Sequence, residues 1–329
     1  RLRAYLRWGF LSIQNYINKK QSYFGGGGGQ PGTLTIADVI HERNVFDVFE
    51  RKMKKLAALA PEFNRLYGKN PSKCFLSCQS ATNLSQVPNE QVDYIFTDPP
   101  FGRNLMYSEL NFINESWLRV FTNKEPEAIV SRTRSLGRHE YFHQMLRAFS
   151  EYFRTLKPGR WITVEFHNSS SAVWNGIQEA LAHAGFVIAQ VAILDKGGLT
   201  FKQLASPSGA VSKDLVISAY KPSQSLAQLV RLGESDHSVV FAFVREHLSQ
   251  LAIPGRRGHD MEAIAERQRH LLYDRVVAFH VQRGMSVPVS SVEFYEGLAA
   301  RFSERDDMFF LPEQVAEYDK TRSSGAELR

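Results

Sequence analysis

The chain has 329 residues, of which 43% are hydrophobic and 22% are charged, an ordinary globular composition. The net charge of +6 permits a polyanionic partner but does not require one. Two cysteines exclude a disulfide framework, and no apolar run reaches the roughly 18 residues that a membrane span needs. We therefore expect a cytoplasmic protein with no membrane partner, large enough for one main domain and a smaller one.

The N-terminal region predicts a helix followed by a flexible connection. Residues 1–20 place Leu2, Leu6, Ile13 and Ile17 at helical spacing with basic residues between them. This pattern favours a helix packed on a neighbour, and the alternative is a basic amphipathic helix on a membrane surface. The stretch "FGGGGGQPG" that follows is typical of a flexible segment.

Further along, helices alternate with short apolar strands. Residues 44–60 predict an amphipathic helix with a basic outer face, and 141–159 predict a helix stopped by Pro158 and Gly159. A further helix is expected near 172–186. Buried strands are expected in "CFLSC", "VDYIFTD", "RWITVEFHN", "VIAQVAILD" and "DLVISAYKP".

This order predicts an α/β fold. Strands that alternate with helices form a mostly parallel sheet covered on both faces, and the last two strands suggest an antiparallel hairpin at one edge. After residue 224 the chain is helical and arginine-rich, and Ser290 with Glu293 fits a capping box. We expect segments at 1–43, 44–224 and 225–329, the last being a smaller helical module or, alternatively, a winged-helix-like one.

The stretch "IFTDPPFGRN" at 95–104 carries the chemistry. Asp98 follows a strand, and ligands of parallel sheets bind beyond the carboxyl ends of strands. The carboxylate of Asp98 and the carbonyl of Pro99 can accept the two hydrogens of an amine. Pro99 and Pro100 stiffen the turn and bring no N–H donor. Phe101 offers a face on which a base turned out of a duplex can stack.

The same residues carry a family resemblance. "TDPPF" resembles the Asp-Pro-Pro-aromatic motif of amino-methyltransferases, and the longer run from Val92 to Leu118 is similar to large adenine-specific bacterial DNA methylases of restriction or phage-defence systems. The similarity extends from about residue 33 to the C-terminus. It implies a Rossmann-like class I sheet, S-adenosylmethionine as cofactor, double-stranded DNA as partner, and Asp98, Pro99, Pro100 and Phe101 as the catalytic motif.

The resemblance also implies how the cofactor is held. Ser80 occupies the strand end where such enzymes often have an acidic residue, and Thr97 and Asp98 lie on the cofactor side. The family's glycine-rich loop is matched literally by Phe24, Gly26 and Gly28, but no strand precedes them and no helix follows. We expect the true loop to lie upstream of Arg1 or to come from a partner subunit.

Other residues are candidates for contact with DNA or the pocket. Their charge and their place in loops suggest phosphate contacts for Arg103, Arg132, Arg134 and Arg138, and for the basic stretches 254–260 and 266–270. His167 and Asn168 end the strand beside Asp98 and are candidates for lining the pocket. The ten histidines show no spacing that requires a metal.

Several functions remain open at this point. The motif suits adenine N6, with cytosine N4 as a second possible amine. A non-catalytic DNA-binding relic and an RNA amino-methyltransferase are the alternatives. An amide methylase would resemble Asn-Pro-Pro-Tyr instead, which Asp98 argues against.

Overall fold

The computed structural model describes residues 2–19, 36, 38–68, 77, 79–102, 106–131, 135–166, 171–194, 214–231, 237–257 and 260–324. The chain divides into two compact units, one formed by Arg1–Cys78 and Asn104–Ile129 and the other by Gln79–Arg103 and Val130–Arg329. The three-segment division expected from the sequence stays a prediction.

The described part of the first unit is mainly helical. Its elements are α1 (Leu2–Leu11), a 3-10 turn (Gln14–Tyr16), α2 (Val45–Tyr67), α3 (Tyr107–Leu110) and α4 (Phe112–Leu118). α2 begins at Asn44, whose side chain accepts hydrogen bonds from the backbone N–H groups of Phe46 and Asp47. α1 contacts α2 closely at Gly9, where a Cβ would lie 2.6 Å from the sulfur of Met53. The helices predicted within 1–20 and 44–60 are confirmed.

The second unit contains all the strands of the described residues. It consists of β1 (Val92–Thr97), α5 (Arg138–Thr155), β2 (Leu156–Phe166), α6 (Ser171–His183), β3 (Val187–Leu194), β4 (Asp214–Tyr220), α7 (Gln224–Arg231), α8 (His237–Gln250), β5 (Arg256–Arg257), β6 (Asp260–Met261), a 3-10 turn (Ala265–Arg267), α9 (Arg269–Val281), α10 (Ser291–Arg301), β7 (Ser303–Arg305), β8 (Met308–Phe310) and α11 (Pro312–Ser323). No helix in the described ranges is both long enough and apolar enough to pass through a bilayer.

The main sheet has the strand order β1-β2-β4-β3. β1 and β2 are parallel, whereas β4 is antiparallel to both of its neighbours, β2 and β3. Strands β1, β2 and β3 therefore run in one direction, and the β3–β4 hairpin closes one edge. The predicted α/β class, with a mostly parallel sheet and an antiparallel hairpin at its edge, is confirmed.

The helix predicted over 141–159 ends earlier than expected. α5 ends at Thr155, and Leu156 already pairs with Val92 as the first residue of β2. Gly159 adopts a φ of +71°, and its N–H donates to the carbonyl of Lys221 at 2.8 Å. The prediction of Pro158–Gly159 as the stop signal was wrong because pairing with neighbouring strands overrides the local helical pattern.

The sheet buries its two faces unequally. Ile162, Val164 and Phe166 alternate along β2 and are at most 1% exposed. β1 borders the described sheet, and its side chains Tyr94 and Phe96 are 54% and 59% exposed. The prediction that this strand is buried on both faces was therefore wrong for the described part of the chain.

The C-terminal helices share one hydrophobic core with the sheet. Tyr220 at the end of β4 belongs to the same buried cluster as residues of α8, α9 and α10. The predicted capping box is confirmed, because the Ser290 hydroxyl accepts from the Glu293 N–H and the Glu293 carboxylate accepts from the Ser290 N–H. The sequence did not predict the short hairpins β5–β6 and β7–β8.

A buried histidine lies within this shared core. His247 is fully buried, and its Nδ1 lies 3.0 Å from the hydroxyl of Tyr220. Its Nε2 has no hydrogen-bond partner among the described residues. Burial, reinforced by the positive charges of Arg275 and Arg267, lowers the pKa of His247 from 6.5 to about 3. The imidazole is therefore neutral in the folded protein at any ordinary pH.

We predict that His247 makes the fold sensitive to mild acid. The unfolded chain binds a proton at His247 below pH 6.5, whereas the folded chain does so only near pH 3, so stability is lost as the pH falls between these values. The loss is about 2 kcal/mol at pH 5. Denaturant unfolding at pH 7 and pH 5 measures it.

The variant His247→Gln should lose less stability between pH 7 and pH 5 than the unaltered protein. His237→Gln, which changes an exposed histidine of the same helix, is the matched control and should leave the pH dependence unaltered. An identical pH dependence in the His247→Gln variant and the unaltered protein would contradict the assignment.

Candidate functional site

The candidate site lies where β1 and β2 end side by side. The two strands are parallel, and Thr97, the last residue of β1, pairs with Val164 near the end of β2. Asp98 follows directly and its side chain is exposed. Because parallel strands bring their carboxyl ends to one edge, the acid stands at the position where α/β sheets bind ligands.

A residue of α5 anchors the turn after Asp98 through a hydrogen bond. Pro99 is buried, and the carbonyl of Pro100 accepts a hydrogen bond of 2.6 Å from the hydroxyl of Tyr141. Tyr141 is fully buried in the first turn of α5. Gly102 completes the turn with a φ of +91°, which an L-residue adopts only with strain. The two prolines therefore restrict the backbone of the turn, and the hydrogen bond to the Pro100 carbonyl anchors it to α5.

Phe101 lies over the end of the neighbouring strand. Its ring centroid is 5.5 Å from that of Phe166, the last residue of β2, and the two rings are nearly perpendicular at 89°. Phe166 is buried, whereas Phe101 is half-buried. The contact fixes the position of Phe101 and still leaves part of its ring accessible.

The turn offers hydrogen-bond acceptors from its carbonyls and from Asp98. Within the described residues the carbonyl of Pro99 accepts no hydrogen bond, and neither proline has an N–H to donate. The Asp98 carboxylate adds two more acceptor oxygens in the adjacent position. This arrangement can receive a group that donates two hydrogens, such as a primary amine on an aromatic ring.

The residues predicted to bind a cofactor differ in their exposure and in their hydrogen-bond partners. The Thr97 hydroxyl is half-buried and lies 3.5 Å from the hydroxyl of Tyr152. Ser80 is exposed, and its hydroxyl makes a hydrogen bond of 2.8 Å with that of Thr82. Of the glycine-rich match, Phe24, Gly26 and Gly28 all lie outside the described residues.

The predicted DNA contacts are only partly within the described chain. Arg138 is described, and it is exposed at the start of α5. The predicted contacts Arg103, Arg132 and Arg134, together with the pocket candidates His167 and Asn168, lie outside the described residues.

The basic stretch 266–270 does not behave as one surface. Arg267 is fully buried, and its guanidinium donates to five oxygen atoms. These acceptors are the carbonyls of Leu248, Leu251, Ala252 and Phe309 and the side chain of Gln314. The suggestion that this stretch contacts DNA was wrong for Arg267, because its charge is used to hold α8, β8 and α11 together.

Sequence reasoning missed the part played by Tyr141. Its ring fits the apolar stripe of α5, and that pattern alone accounts for its burial. The only signal was chemical, since a buried tyrosine hydroxyl needs a partner. No sequence rule identified that partner as the Pro100 carbonyl, 41 positions away. In the described ranges no three histidine, cysteine, aspartate or glutamate side chains form a group that could hold a metal.

Comparison with known proteins gives a partial structural likeness. No protein-family model matches the chain, and a search of curated proteins finds no match. Among solved structures it is similar to TTHA0409 of Thermus thermophilus, a candidate DNA modification methylase, with 14–16% identity over 45–46% of this chain and a TM-score of 0.27. One of those structures is complexed with S-adenosyl-L-methionine.

A second similar structure is the [4+2]-cyclase SpnF, with 18% identity over 50% of this chain and a TM-score of 0.27. The chain covers 55–58% of the TTHA0409 structures and 62% of SpnF, less than two thirds of each. A likeness at this level carries no argument about the site, which rests on its own geometry.

We predict that Tyr141→Phe destabilises the second unit by about 1–2 kcal/mol, since it leaves the carbonyl of Pro100 without its buried donor. Denaturant unfolding measures the change. Tyr152→Phe is the matched control on the same helix, because the Tyr152 hydroxyl makes only the 3.5 Å contact with Thr97 among the described residues. Equal effects of the two substitutions would show that the Tyr141 hydrogen bond does not anchor the turn.

Proposed function

We propose that this chain is part of an S-adenosylmethionine-dependent DNA amino-methyltransferase, with adenine N6 as its preferred target. One observation carries the proposal. An exposed acidic residue, Asp98, directly follows a parallel strand. In the stiff turn beside it the Pro99 carbonyl accepts no hydrogen bond among the described residues, and neither proline has an N–H to donate. The motif and its resemblance to adenine-specific methylases support the choice of base.

The acceptors would activate the amine. Its nitrogen lone pair is delocalised into the base, so the free amine is a poor nucleophile. Hydrogen bonds from its two N–H groups to Asp98 and Pro99 would draw the nitrogen toward tetrahedral geometry and localise the lone pair. After methylation Asp98 would accept the surplus proton from the nitrogen and pass it to solvent.

Phe101 would position the base. A duplex hides the target amine, so the nucleotide must swing out before it reaches Asp98. The accessible part of the Phe101 ring offers a stacking surface next to the two acceptors, and the Phe166 contact keeps the ring in place. Base stacking on an aromatic side chain contributes roughly 1–3 kcal/mol.

The polar groups of the described residues suit the hydrogen-bonding groups of the cofactor. The exposed carboxylate of Asp98 and the hydroxyls of Thr97 and Ser80 are polar groups that could receive its amino and hydroxyl groups. When bound, S-adenosylmethionine supplies a methyl group on a sulfonium, which leaves as a thioether. We propose that the glycine-rich loop is supplied by sequence upstream of Arg1 or by a partner subunit.

We predict that Asp98→Ala lowers methyl transfer at least about 100-fold, because the amine loses one of its two acceptors. Incorporation of tritiated methyl groups into duplex DNA measures the rate. The thermal unfolding midpoint, measured on the same preparations, distinguishes lost chemistry from lost folding. Asp93→Asn is the matched control: it removes a carboxylate at the opposite end of β1, where Asp93 pairs with Lys157.

Near-normal incorporation by the Asp98→Ala protein would refute the assignment of the acceptor pair. If the protein bound duplex DNA but transferred no methyl group and bound no cofactor in calorimetry, even with the source of the glycine-rich loop present, it would be a DNA-binding relic. Greater incorporation into RNA than into DNA would favour the RNA alternative.

A further inference from the structure

A cluster of cations lines a cleft in the first, helical unit, and it plays no part in the site around Asp98. The cleft has a volume of about 460 Å³ and lies between the chain around Ser12–Tyr16 and one side of α2. Its charged lining residues are Arg43, Arg51, Lys52, Lys54 and Lys55. We call this surface the basic cleft.

Among the described residues, no carboxylate lines the basic cleft. Lys54 pairs with Glu50 at 2.6 Å, and both of these side chains are exposed. Arg51, Lys52 and Lys55 have no carboxylate within 4 Å among the residues that the structure describes. The Nε of Arg51 donates to the backbone carbonyl of Asp47. Three neighbouring positive charges therefore lack a counter-charge from the described residues.

The fold itself gains little from these charges. Arg51 and Lys55 are four residues apart on one helix, a spacing at which like charges destabilise the helix. They lie near the middle of α2 (Val45–Tyr67), away from the C-terminal turn where the helix dipole would favour cations. Arg51 and Lys55 are exposed, so their burial cannot explain them either. These exposed charges are therefore accessible to an anionic ligand.

The cations are close together along the helix. Arg51 and Lys55 lie about 6 Å apart along the axis of α2, with Lys52 between them, so one stretch of a phosphate backbone could contact all three. Tyr16 lies in the cleft, 50% exposed, with the Arg43 guanidinium 6.0 Å from its ring centroid. The half-exposed tyrosine and the guanidinium place one more cation in the cleft.

We propose that the basic cleft binds the phosphate backbone of DNA and thereby adds affinity that is independent of base sequence. The choice of DNA rests on the proposed function. The uncompensated charges of the basic cleft belong to residues other than the acceptors at Asp98, so their presence is independent of that site.

The test uses the full chain with all three uncompensated charges removed, as Arg51→Gln, Lys52→Gln and Lys55→Gln. Glutamine keeps the helix propensity nearly unchanged. Fluorescence anisotropy with a labelled duplex of about 30 base pairs, titrated at several salt concentrations, gives Kd and its salt dependence. We expect a Kd roughly 10- to 100-fold weaker near 0.1 M salt, and a plot of log K against log salt that is less steep by about 2–3.

A second triple variant controls for the loss of net charge. Arg65→Gln, Arg147→Gln and Lys320→Gln remove three cations outside the cleft and should change the Kd less than about threefold. Equal weakening by both triple variants, or no weakening by the cleft variant, would overturn the proposal. Circular dichroism must show the same helix content and unfolding midpoint in all proteins.

Two further measurements distinguish DNA from a membrane surface as the ligand, and DNA binding from methyl transfer as the function. Binding of the unaltered chain to phosphatidylserine vesicles but not to the duplex would overturn the proposal in favour of a membrane surface. Methyl transfer, measured with the source of the glycine-rich loop present, tests the proposed catalysis separately from DNA binding. Cleft-dependent DNA binding without any methyl transfer would support the cleft and refute only the proposed catalysis.

Discussion

The parallel pairing of β1 with β2 is the constraint on which the candidate site depends. Pairing of Thr97 with Val164 brings both strands to an end at one edge. Asp98 then stands directly beyond the sheet, and Phe101 reaches the ring of Phe166 on the neighbouring strand. An antiparallel pairing would send the two strand ends to opposite edges, and the acid and the aromatic ring would lose their common support.

The turn beyond β1 combines stiffness with a selective use of its carbonyls. The Tyr141 hydroxyl donates a hydrogen bond to the Pro100 carbonyl, so this acceptor stabilises the fold. The neighbouring Pro99 carbonyl accepts no hydrogen bond within the described chain. Proline fixes φ and contributes no donor, so the geometry of the acceptors needs little reorganisation when a ligand arrives. Gly102 supplies the left-handed conformation that lets the chain turn away.

The arginines and lysines of this chain divide into two kinds. Some are consumed by the fold: Arg267 donates to five oxygens, and Lys221, 8% exposed, donates to Glu90 and to the carbonyls of Phe153 and Leu156. Others, such as Lys52 and Lys55 of α2, have no such partners in the described ranges. The positive net charge therefore overstates how many cations are available to a polyanion, and it conceals where they are concentrated.

The sequence by itself determined the periodic helices, the strands β1 to β4 as segments of the chain and the acid-proline-proline-aromatic turn, because propensity, patterning and turn chemistry act over a few residues. It could not determine the end of α5, since Leu156 pairs with Val92, a residue 64 positions away whose proximity only the folded sheet establishes. It also could not assign Arg267 to the core or Tyr141 to the Pro100 carbonyl. Those contacts join residues 15 or more positions apart, and only the tertiary structure decides which distant groups meet.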